Sequence, residues 1–507
     1  MDFVQNFPFF SIILSMFSGI VSSVLPGKAA KWVNTVVVFV VGLLSWILLL
    51  YLLRTGESYT YMMGHFPAPW GNEIRAGVLE AGMALFFCII MLLSLFGGQK
   101  KLEEEVEGQK HSHYYILMDL MLSSLLALVY TNDLFTAYVF VEINTIAACG
   151  LIMIRQNGRT IEAAVRYMIM SLLGSGMLLM GICMLYDLTG HLLMSNINEQ
   201  VMVLAVSGEY RTPLLVTIAL MSVGLAIKSA LFPFHAWLPD AYGYSTVSSA
   251  AVLSSLVSKG YIFLLIKIIY RVIGVTVFDD SRIIDVLFVF GLMGMIFGSL
   301  SAIRENDIRR MIAYSSVAQI GYIYMGIGMG TEAGMAASVF HILSHAATKS
   351  LLFIAAIGLT DVSKGSRKFI DLTGAAYRNK WAGITFTVGS LSMVGVPLFS
   401  GFISKLLFAQ AAVQNNGKML PALIVLGIST VLNAIYFMKT VIRIYTPVDI
   451  NGADVADIAD NNGSEGIYKN RKLYTATLVC FIVLNVILGV SSQPVVNLIG
   501  QGLAMFS

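Results

Sequence analysis

Hydrophobic positions along this chain run almost without interruption for about 20 residues at a time, separated by short polar clusters. Such runs match the hydrocarbon thickness that a helix crosses, and they lack the ten-residue alternation of a barrel strand. Lipid offers the backbone no hydrogen-bond partners, so each run predicts a helix. Fourteen spans are expected, at 8–26, 32–53, 76–97, 112–130, 134–154, 163–186, 213–241, 246–270, 283–302, 311–328, 332–357, 383–411, 419–442 and 473–497. The predicted fold class is an all-α polytopic membrane protein.

Basic residues orient these spans. Loops after odd-numbered spans hold nineteen lysines and arginines, among them Lys31, Lys101, Arg155, Arg309, Arg367, Lys368 and Arg443. Loops after even-numbered spans hold six: Arg54, Arg75, Arg211, Arg271, Arg282 and Lys418. The positive-inside rule places the odd loops in the cytoplasm and both termini outside.

Seven basic residues then remain inside spans: Arg166, Lys228, Lys259, Lys267, Lys349, Lys405 and Lys439. Lys267 and Lys439 lie near span ends and are expected to snorkel to water. Arg166 follows Glu162 by four residues, which suits a helix-surface ion pair. Lys228, Lys259 and Lys405 lie in or near mid-span, where a lysine costs about 2.5–3.5 kcal/mol, so each must face the protein interior, a partner or water. Glu142 reads as the only glutamate deep in a span, with Asp119 a weaker acidic candidate. Burial disfavours a charged ammonium and a neighbouring carboxylate restores it. Glu142 with Lys228 therefore forms either a switchable proton-carrying pair or a static buried salt bridge. In the first case the proton moves on towards Lys259 and Lys405.

Two spans are interrupted by proline, at Pro233 beside Lys228 and at Pro397 before Lys405. Proline removes a backbone donor and clashes with the preceding turn. In a membrane the freed carbonyls must be buried in protein or face a water-filled cavity. Broken helices in matching places of two halves point to an ion path. The order of lysine and proline reverses between the two spans, which suits an inverted repeat of spans 4–8 against spans 9–13. Span 11 adds His341, His345 and Lys349 at i, i+4 and i+8, on one helix face. The two histidines serve a proton relay, a structural role or, least well supported, a metal site that lacks an evident third ligand. His235, seven residues after Lys228, is expected near the cytoplasmic mouth, as an intake group or a loop-ordering one.

Composition narrows the function further. Hydrophobic residues make up 57% of the 507 positions and charged residues 12%, against about 25% charged in soluble domains. A net charge of +3 is too small to imply a polyanionic partner. Cys88, Cys149, Cys183 and Cys480 all fall in apolar runs without a CxxC pair, and read as packing residues. The N-terminus lacks the basic start and cleavage site of a signal peptide. No P-loop or dinucleotide fingerprint is present. The acidic stretch 448–467 lacks the spacing of a calcium loop and is expected to be a flexible cytoplasmic loop.

The stretches KSALFPFHAWLPDAY, EAAVRYMIMSLLGSGMLLMGICMLYDLTG, RENDIRRMIAYSSVAQIGYI, HILSHAATKSLLF and GVPLFSGFISK resemble the antiporter-like subunits of respiratory complex I, membrane-bound hydrogenases and Mrp-type cation/proton antiporters. The resemblance is strong over about residues 110–410. It implies about fourteen helices with two inverted five-helix repeats and broken helices 7 and 12. The corresponding division is 1–111 for helices 1–3, 112–272 for the first repeat, 283–443 for the second, and 444–507 for a cytoplasmic loop and helix 14. By resemblance, Glu142 matches the helix-5 glutamate, Lys228 its helix-7 lysine partner, Lys259 the helix-8 bridging lysine, and Lys405 the terminal helix-12 lysine. His341, His345 and Lys349 fall on the helix-11 relay. The wording around His235 and Asp240 leans towards complex I and hydrogenase subunits, while GHFPAPWGNEIRAG resembles Mrp D-type and hydrogenase-linked subunits. The resemblance implies an ion-translocating subunit in the inner membrane of a prokaryote, without a cofactor of its own. Its partners would be further antiporter-like membrane subunits and a peripheral redox arm with iron–sulfur clusters; an Mrp-type sodium/proton antiporter is the second reading.

Overall fold

The computed structural model describes residues 3–63, 66, 71–447, 468 and 472–506. The acidic stretch 448–467, Lys469, Arg471 and part of the segment beginning at Gly64 lie outside the described residues. In the first half the apolar runs become α1 (Phe7–Val24), α2 (Gly27–Thr55), α3 (Val78–Glu105), α4 (His111–Tyr130), α5 (Leu134–Met153) and α6 (Gly158–Thr189). Local chemistry sets their ends. Asp133 accepts the Thr136 amide at the start of α5, and Asn157 with Thr160 closes a capping box at the start of α6. Gly56 and Gly190 end α2 and α6 in the left-handed conformation that glycine tolerates.

Next come α7 (Met194–Ser207), α8 (Arg211–Lys228), α9 (Leu238–Tyr244), α10 (Val247–Val252), α11 (Ser258–Ile268) and α12 (Val275–Asp280). A π-helical turn, Leu253–Val257, joins α10 to α11, and a second, Ile269–Ile273, follows. The second half contains α13 (Ile283–Arg304), α14 (Ile308–Gly328), α15 (Glu332–Asp361), α16 (Ala375–Arg378), α17 (Lys380–Val394), α18 (Ser400–Val413), α19 (Met419–Tyr445), α20 (Lys472–Val490) and α21 (Ser492–Ala504).

Among the described residues, twelve helices are long and apolar enough to cross a membrane, and each lies on an expected span. The other two expected spans differ. Span 311–328 falls within α14, whose first turn carries Arg309 and Arg310, and span 383–411 is split into the half-length α17 and α18.

Two spans form the centre. The most apolar windows of Val247–Ile273 and α15 are 100% buried inside the protein, against 33% for α19. Both central spans are rich in serine, alanine and glycine, which let neighbouring backbones approach closely. Peripheral helices turn Phe39, Ile169 and Val431 outwards, an arrangement with no cost where the solvent is hydrocarbon. The crossing of α6 and α8 is especially close. A methyl group on Gly224 would stand 2.7 Å from the Gly174 carbonyl oxygen, so glycine is required there.

Four expectations need correction. A β-hairpin, β1 (Tyr59–Met62) with β2 (Glu73–Ala76), pairs antiparallel where only a loop was read. Helix α7 also occupies an expected loop. It buries Met194, Ile197 and Val201 on one stripe, while the interposed polar residues of SNINEQ mask any span-like signal. The last span stops at Val490, not 497; the chain turns at Ser491 and α21 buries Ile499, Gly502 and Leu503, with α3 among its neighbours. Finally, Cys88 and Cys149 are buried packing residues, but Cys183 and Cys480 are exposed on the outer surface.

Asp119 is buried in α4 and accepts hydrogen bonds from Ser18 (2.9 Å), Ser22 (3.4 Å) and Asn34 (2.7 Å). Its carboxylate ties α1 and α2 to α4, a static role well satisfied by donors.

Candidate functional site

The first break falls directly after Lys228, the last residue of α8. The chain leaves helical geometry at Ser229 and Ala230, whose φ is 63°, passes Pro233, and resumes in the turn Phe234–Trp237 and α9. Lys228 therefore sits in the last turn of a helix that ends inside the protein, where orphan carbonyls favour a cation. Its ammonium is fully buried and 3.5 Å from Glu142 Oε1 on α5. It donates to Thr145 Oγ1 (2.8 Å) and Ser171 Oγ (3.0 Å), and lies 5.5 Å from the Tyr261 ring centroid. The Gly174–Gly224 contact lets α6 approach α8 closely enough to deliver Ser171 and Ser175. Ser175 donates to Glu142 in turn.

Glu142 lies midway along α5, as expected, but 26% of its side chain is exposed. The carboxylate stands at the outer margin of α5, one end on Lys228 and the other facing outwards. A second buried glutamate, Glu80, lies at the start of α3, not deep in the span, with no hydrogen-bond partner for either carboxylate oxygen among the described residues.

Lys259 lies in α11, two residues beyond the π-helical segment, and is wholly buried. Its ammonium donates to the Ser254 carbonyl inside that segment. Such a bulge redirects carbonyls out of the helical ladder and is common at functional sites. Lys349 on α15 is equally buried, but it departs from the expected shared face with the histidines: its ammonium reaches α14, donating to the Ile312 carbonyl (2.9 Å) and to Ser315 Oγ.

His341 and His345 do stack, with ring centroids 5.8 Å apart and planes 5° apart. His341 Nδ1 is 2.6 Å from Ser404 Oγ on α18, and its ring lies on Tyr322. Neither nitrogen of the buried His345 meets a protein hydrogen-bond partner among the described residues. Lys259 and Lys349 are close enough to act electrostatically on both rings, and Lys405 acts on His341. His235 is half-buried on the turn after the first break and stacked on Phe232 at 5.3 Å, with no hydrogen bond to the other candidates among the described residues.

The second break separates Val394 from Ser400. Lys405 is half-buried and donates to the Val394 carbonyl at 2.6 Å, so the ammonium caps the end of α17. Gly395 is required beside it. Its φ is 92°, and a methyl group there would meet Lys405 Cδ at 2.9 Å. The amide of Ser400 at the start of α18 is accepted by Asn485 Oδ1 (3.4 Å), while Asn485 Nδ2 donates to Thr348 Oγ1 (2.8 Å). Asn485 was not singled out in the sequence, although a lone asparagine in the apolar run FIVLNVILGV was a usable signal.

The break therefore exposes backbone groups at both ends and side chains satisfy them, as burial demands. The two lysines sit on opposite sides of their breaks: Lys228 is the last residue of the helix before the first, and Lys405 lies on the helix after the second and reaches back to the end of α17. No direct hydrogen bond joins Lys228, Lys259, His345 and Lys405 to one another among the described residues; Ser229, next in sequence to Lys228, pairs with Tyr324 (2.7 Å), and Ser350, next to Lys349, pairs with Ser255 (2.7 Å).

Lys267 contradicts the snorkelling expectation. It is wholly buried and donates to the carbonyls of Val129 (2.8 Å), Thr131 (2.6 Å) and Leu128 (3.4 Å). It thus acts as a C-cap for α4, supplied from the far end of α11. Lys267→Met is expected to lower stability by about 1–3 kcal/mol, because it strands buried carbonyls. Ion transport per folded molecule should stay unchanged. Thermal unfolding together with transport normalised to folded protein checks this; lost transport at unchanged stability would instead place Lys267 on an ion path. Lys439 is exposed near the end of α19, as expected. Arg166 pairs with Glu162 (2.5 Å) and also with Asp240 on α9 (2.7 Å).

Comparison with known proteins agrees with this architecture. The family described as NADH:quinone oxidoreductase/Mrp antiporter, TM matches residues 131–432, a range that includes every candidate from Glu142 to Lys405. An NADH-quinone oxidoreductase subunit N from Desulforudis audaxviator is 33% identical over 390 residues, covering 77% of this chain and 76% of that protein. A putative antiporter subunit mnhD2 from Staphylococcus aureus is 28% identical over 473 residues, covering 93% and 89%. Among solved structures, a chain of the membrane-bound sulfane sulfur reductase, an archaeal respiratory membrane complex, has a TM-score of 0.86 at 26% identity, covering 99% of this chain and 97% of that one. A chain of the Mrp complex from a Dietzia species has a TM-score of 0.84 at 25% identity, with the same coverage. This multi-pass membrane protein belongs to the NADH:quinone oxidoreductase/Mrp antiporter transmembrane family.

Proposed function

We propose that this chain is a proton-translocating, antiporter-like membrane subunit of a redox-driven complex related to complex I, of the NADH/ferredoxin oxidoreductase or membrane-bound hydrogenase type. One observation carries the reading: the two most buried spans and the two broken helices together hold Lys228, Lys259, His341, His345, Lys349 and Lys405, with Glu142 against the first lysine at 3.5 Å. Ionisable groups at that depth are expensive and mark ion pathways. Glu142 sets the charge of Lys228, the proton passes through hydroxyls and water to Lys259, and the histidine pair leads on to Lys405. His235 serves intake on the side of the basic loops, which is the cytoplasm of a prokaryotic cell, with both termini on the opposite side. Residues 112–272 and 283–443 are the two inverted repeats. Lys349 branches from the row towards α14.

The chain carries no redox group in this reading. A peripheral arm with iron–sulfur clusters supplies the driving reaction, and other antiporter-like subunits flank the chain. Likeness to the Mrp subunits over 93% of the chain supports a second reading, a subunit of an Mrp-type sodium/proton antiporter. Purifying the assembly through this chain and identifying its subunits by mass spectrometry separates the two. Iron–sulfur proteins in stoichiometric amount are expected; small Mrp-like membrane subunits alone would replace the first reading with the second.

A further inference from the structure

At the basic-loop face, the ends of α13 and α19, the start of α14 and the loop around Phe369 enclose a cleft of about 810 Å3. None of the residues discussed so far for ion transfer lines it. Its walls are mixed in character. Ile303, Phe369 and Ile435 form an apolar floor, and Lys368, Lys439 and Arg443 stand around it.

The charges in this cleft are unbalanced. Lys439 and Arg443 are four residues apart on one face of α19, a like-charge spacing that weakens a helix unless an anion lies between. No carboxylate among the described residues pairs with Lys368, Lys439 or Arg443. Glu305, the acid in the cleft wall, is already held by Arg310 at 3.2 Å. Arg443 is oriented by its Nε, which donates to the Phe369 carbonyl at 3.3 Å and leaves the terminal nitrogens of the fork to turn towards the cleft. The surface leading to this cluster is apolar and continuous. Ile424, Ile428, Val431, Ile435 and Ile442 are all exposed on α19. Ile442 lies within the charged cluster; the other four draw one stripe leading to it over 11 residues, about 17 Å at the helical rise, enough to line most of an acyl chain.

From this charge imbalance and the apolar stripe beneath it, we propose that the cleft between α13, α14 and α19 binds an anionic glycerophospholipid. Its phosphate lies between Lys439 and Arg443 with Lys368 closing over it, and an acyl chain follows the stripe on α19. A basic pocket between spans at this face has the chemistry that recognises acidic headgroups.

The test uses the full-length chain, purified in detergent with the subunits that accompany it and stripped of lipid. Phosphatidylglycerol or phosphatidylcholine is added in mixed micelles, and bound lipid is counted by native mass spectrometry. Phosphatidylglycerol is expected to bind at least about tenfold more tightly than phosphatidylcholine, and K439Q/R443Q to lose about tenfold of that affinity. K364Q/K380Q, which removes two exposed charges from the neighbouring loop and the start of α17, should leave it unchanged. Lys368→Gln on the exposed loop provides a milder variant, read the same way, should the double variant fold poorly. Equal binding of the two lipids would overturn the proposal by reducing the cleft to ordinary lipid contact. Equal loss in K364Q/K380Q would reduce it to general surface charge. Displacement of the lipid by millimolar inorganic phosphate would make it a free-anion site.

Discussion

Lys228→Met is expected to reduce proton translocation by about a hundredfold or more, the scale on which a positioned proton-transfer group contributes, while the protein still assembles. Methionine keeps the length and the unbranched shape of lysine, so the space beside Gly174 stays filled. The groups left behind have other partners. Thr145 Oγ1 already bonds the Val141 carbonyl at 2.9 Å, and Ser171 remains within 3.3 Å of Thr145. Glu142 loses its cation, but Ser175 still donates to it and a quarter of its side chain is exposed, so the stranded charge is only partly desolvated. Melting temperature should therefore fall by no more than a few degrees. The readout is acidification of proteoliposomes holding the purified complex, paired with its subunit composition. Full transport by an intact complex would reduce the Glu142–Lys228 pair to a static link between α5 and α8.

That alternative has a physical basis, because burying an ion pair is poor evidence for stability and equally poor evidence for movement. The geometry gives it two features that a packing salt bridge does not need. The ammonium has two neutral hydroxyl acceptors besides the carboxylate, so it can stay bound when Glu142 is lost. The carboxylate has an open side. A change of charge next to the protein at that side would act on Lys228 through Glu142 without any rearrangement of the core.

Much of this arrangement was legible from residue order, for a specific reason. In lipid the cost of an ionisable side chain depends chiefly on depth, and depth follows from counting along an apolar run. That placed Lys228, Lys259 and Lys405 inside the protein, and proline placed the breaks beside two of them. Depth says nothing about direction around the helix, however. Lys349 lies close to the histidine face by spacing, yet it turns to the Ile312 carbonyl of α14. Glu142 lies mid-span as expected, yet its side chain is partly exposed at the edge of the protein. Lys267 shows the limit most plainly. Proximity to a span end suggested water, but the end of α4, more than 130 positions earlier in the chain, presents bare carbonyls at the same level. Only the packing of the two helices reveals that ready-made site. Asn485 was marked only as a lone asparagine in an apolar run; that it meets the Ser400 amide released by a break in another span follows from the packing alone. The hairpin and α7 leave no such mark for a different reason: both are too short and too polar to form a long apolar run.

His345→Phe should separate a relay from a scaffold more sharply than any lysine substitution. A histidine retained for structure contributes through its hydrogen bonds, and its loss costs stability. His345 is buried to 1% exposure, yet both ring nitrogens lack a protein partner among the described residues. The ring contributes stacking on His341, which phenylalanine reproduces in nearly the same volume. The substitution also removes a polar group from an apolar setting, so the melting temperature should hold or rise. Transport should nevertheless fall by about a hundredfold, because phenylalanine can neither accept nor release a proton between Lys259 and His341. A stability gain coupled to lost function is the pattern expected where a strained or unsatisfied group is kept for its chemistry. His341→Phe makes the contrast, since it breaks the 2.6 Å contact with Ser404 and should lose both stability and transport. Should His345→Phe melt several degrees lower and transport at the normal rate, the histidine stack is structural, and the path from Lys259 to Lys405 must run through the hydroxyls around it instead.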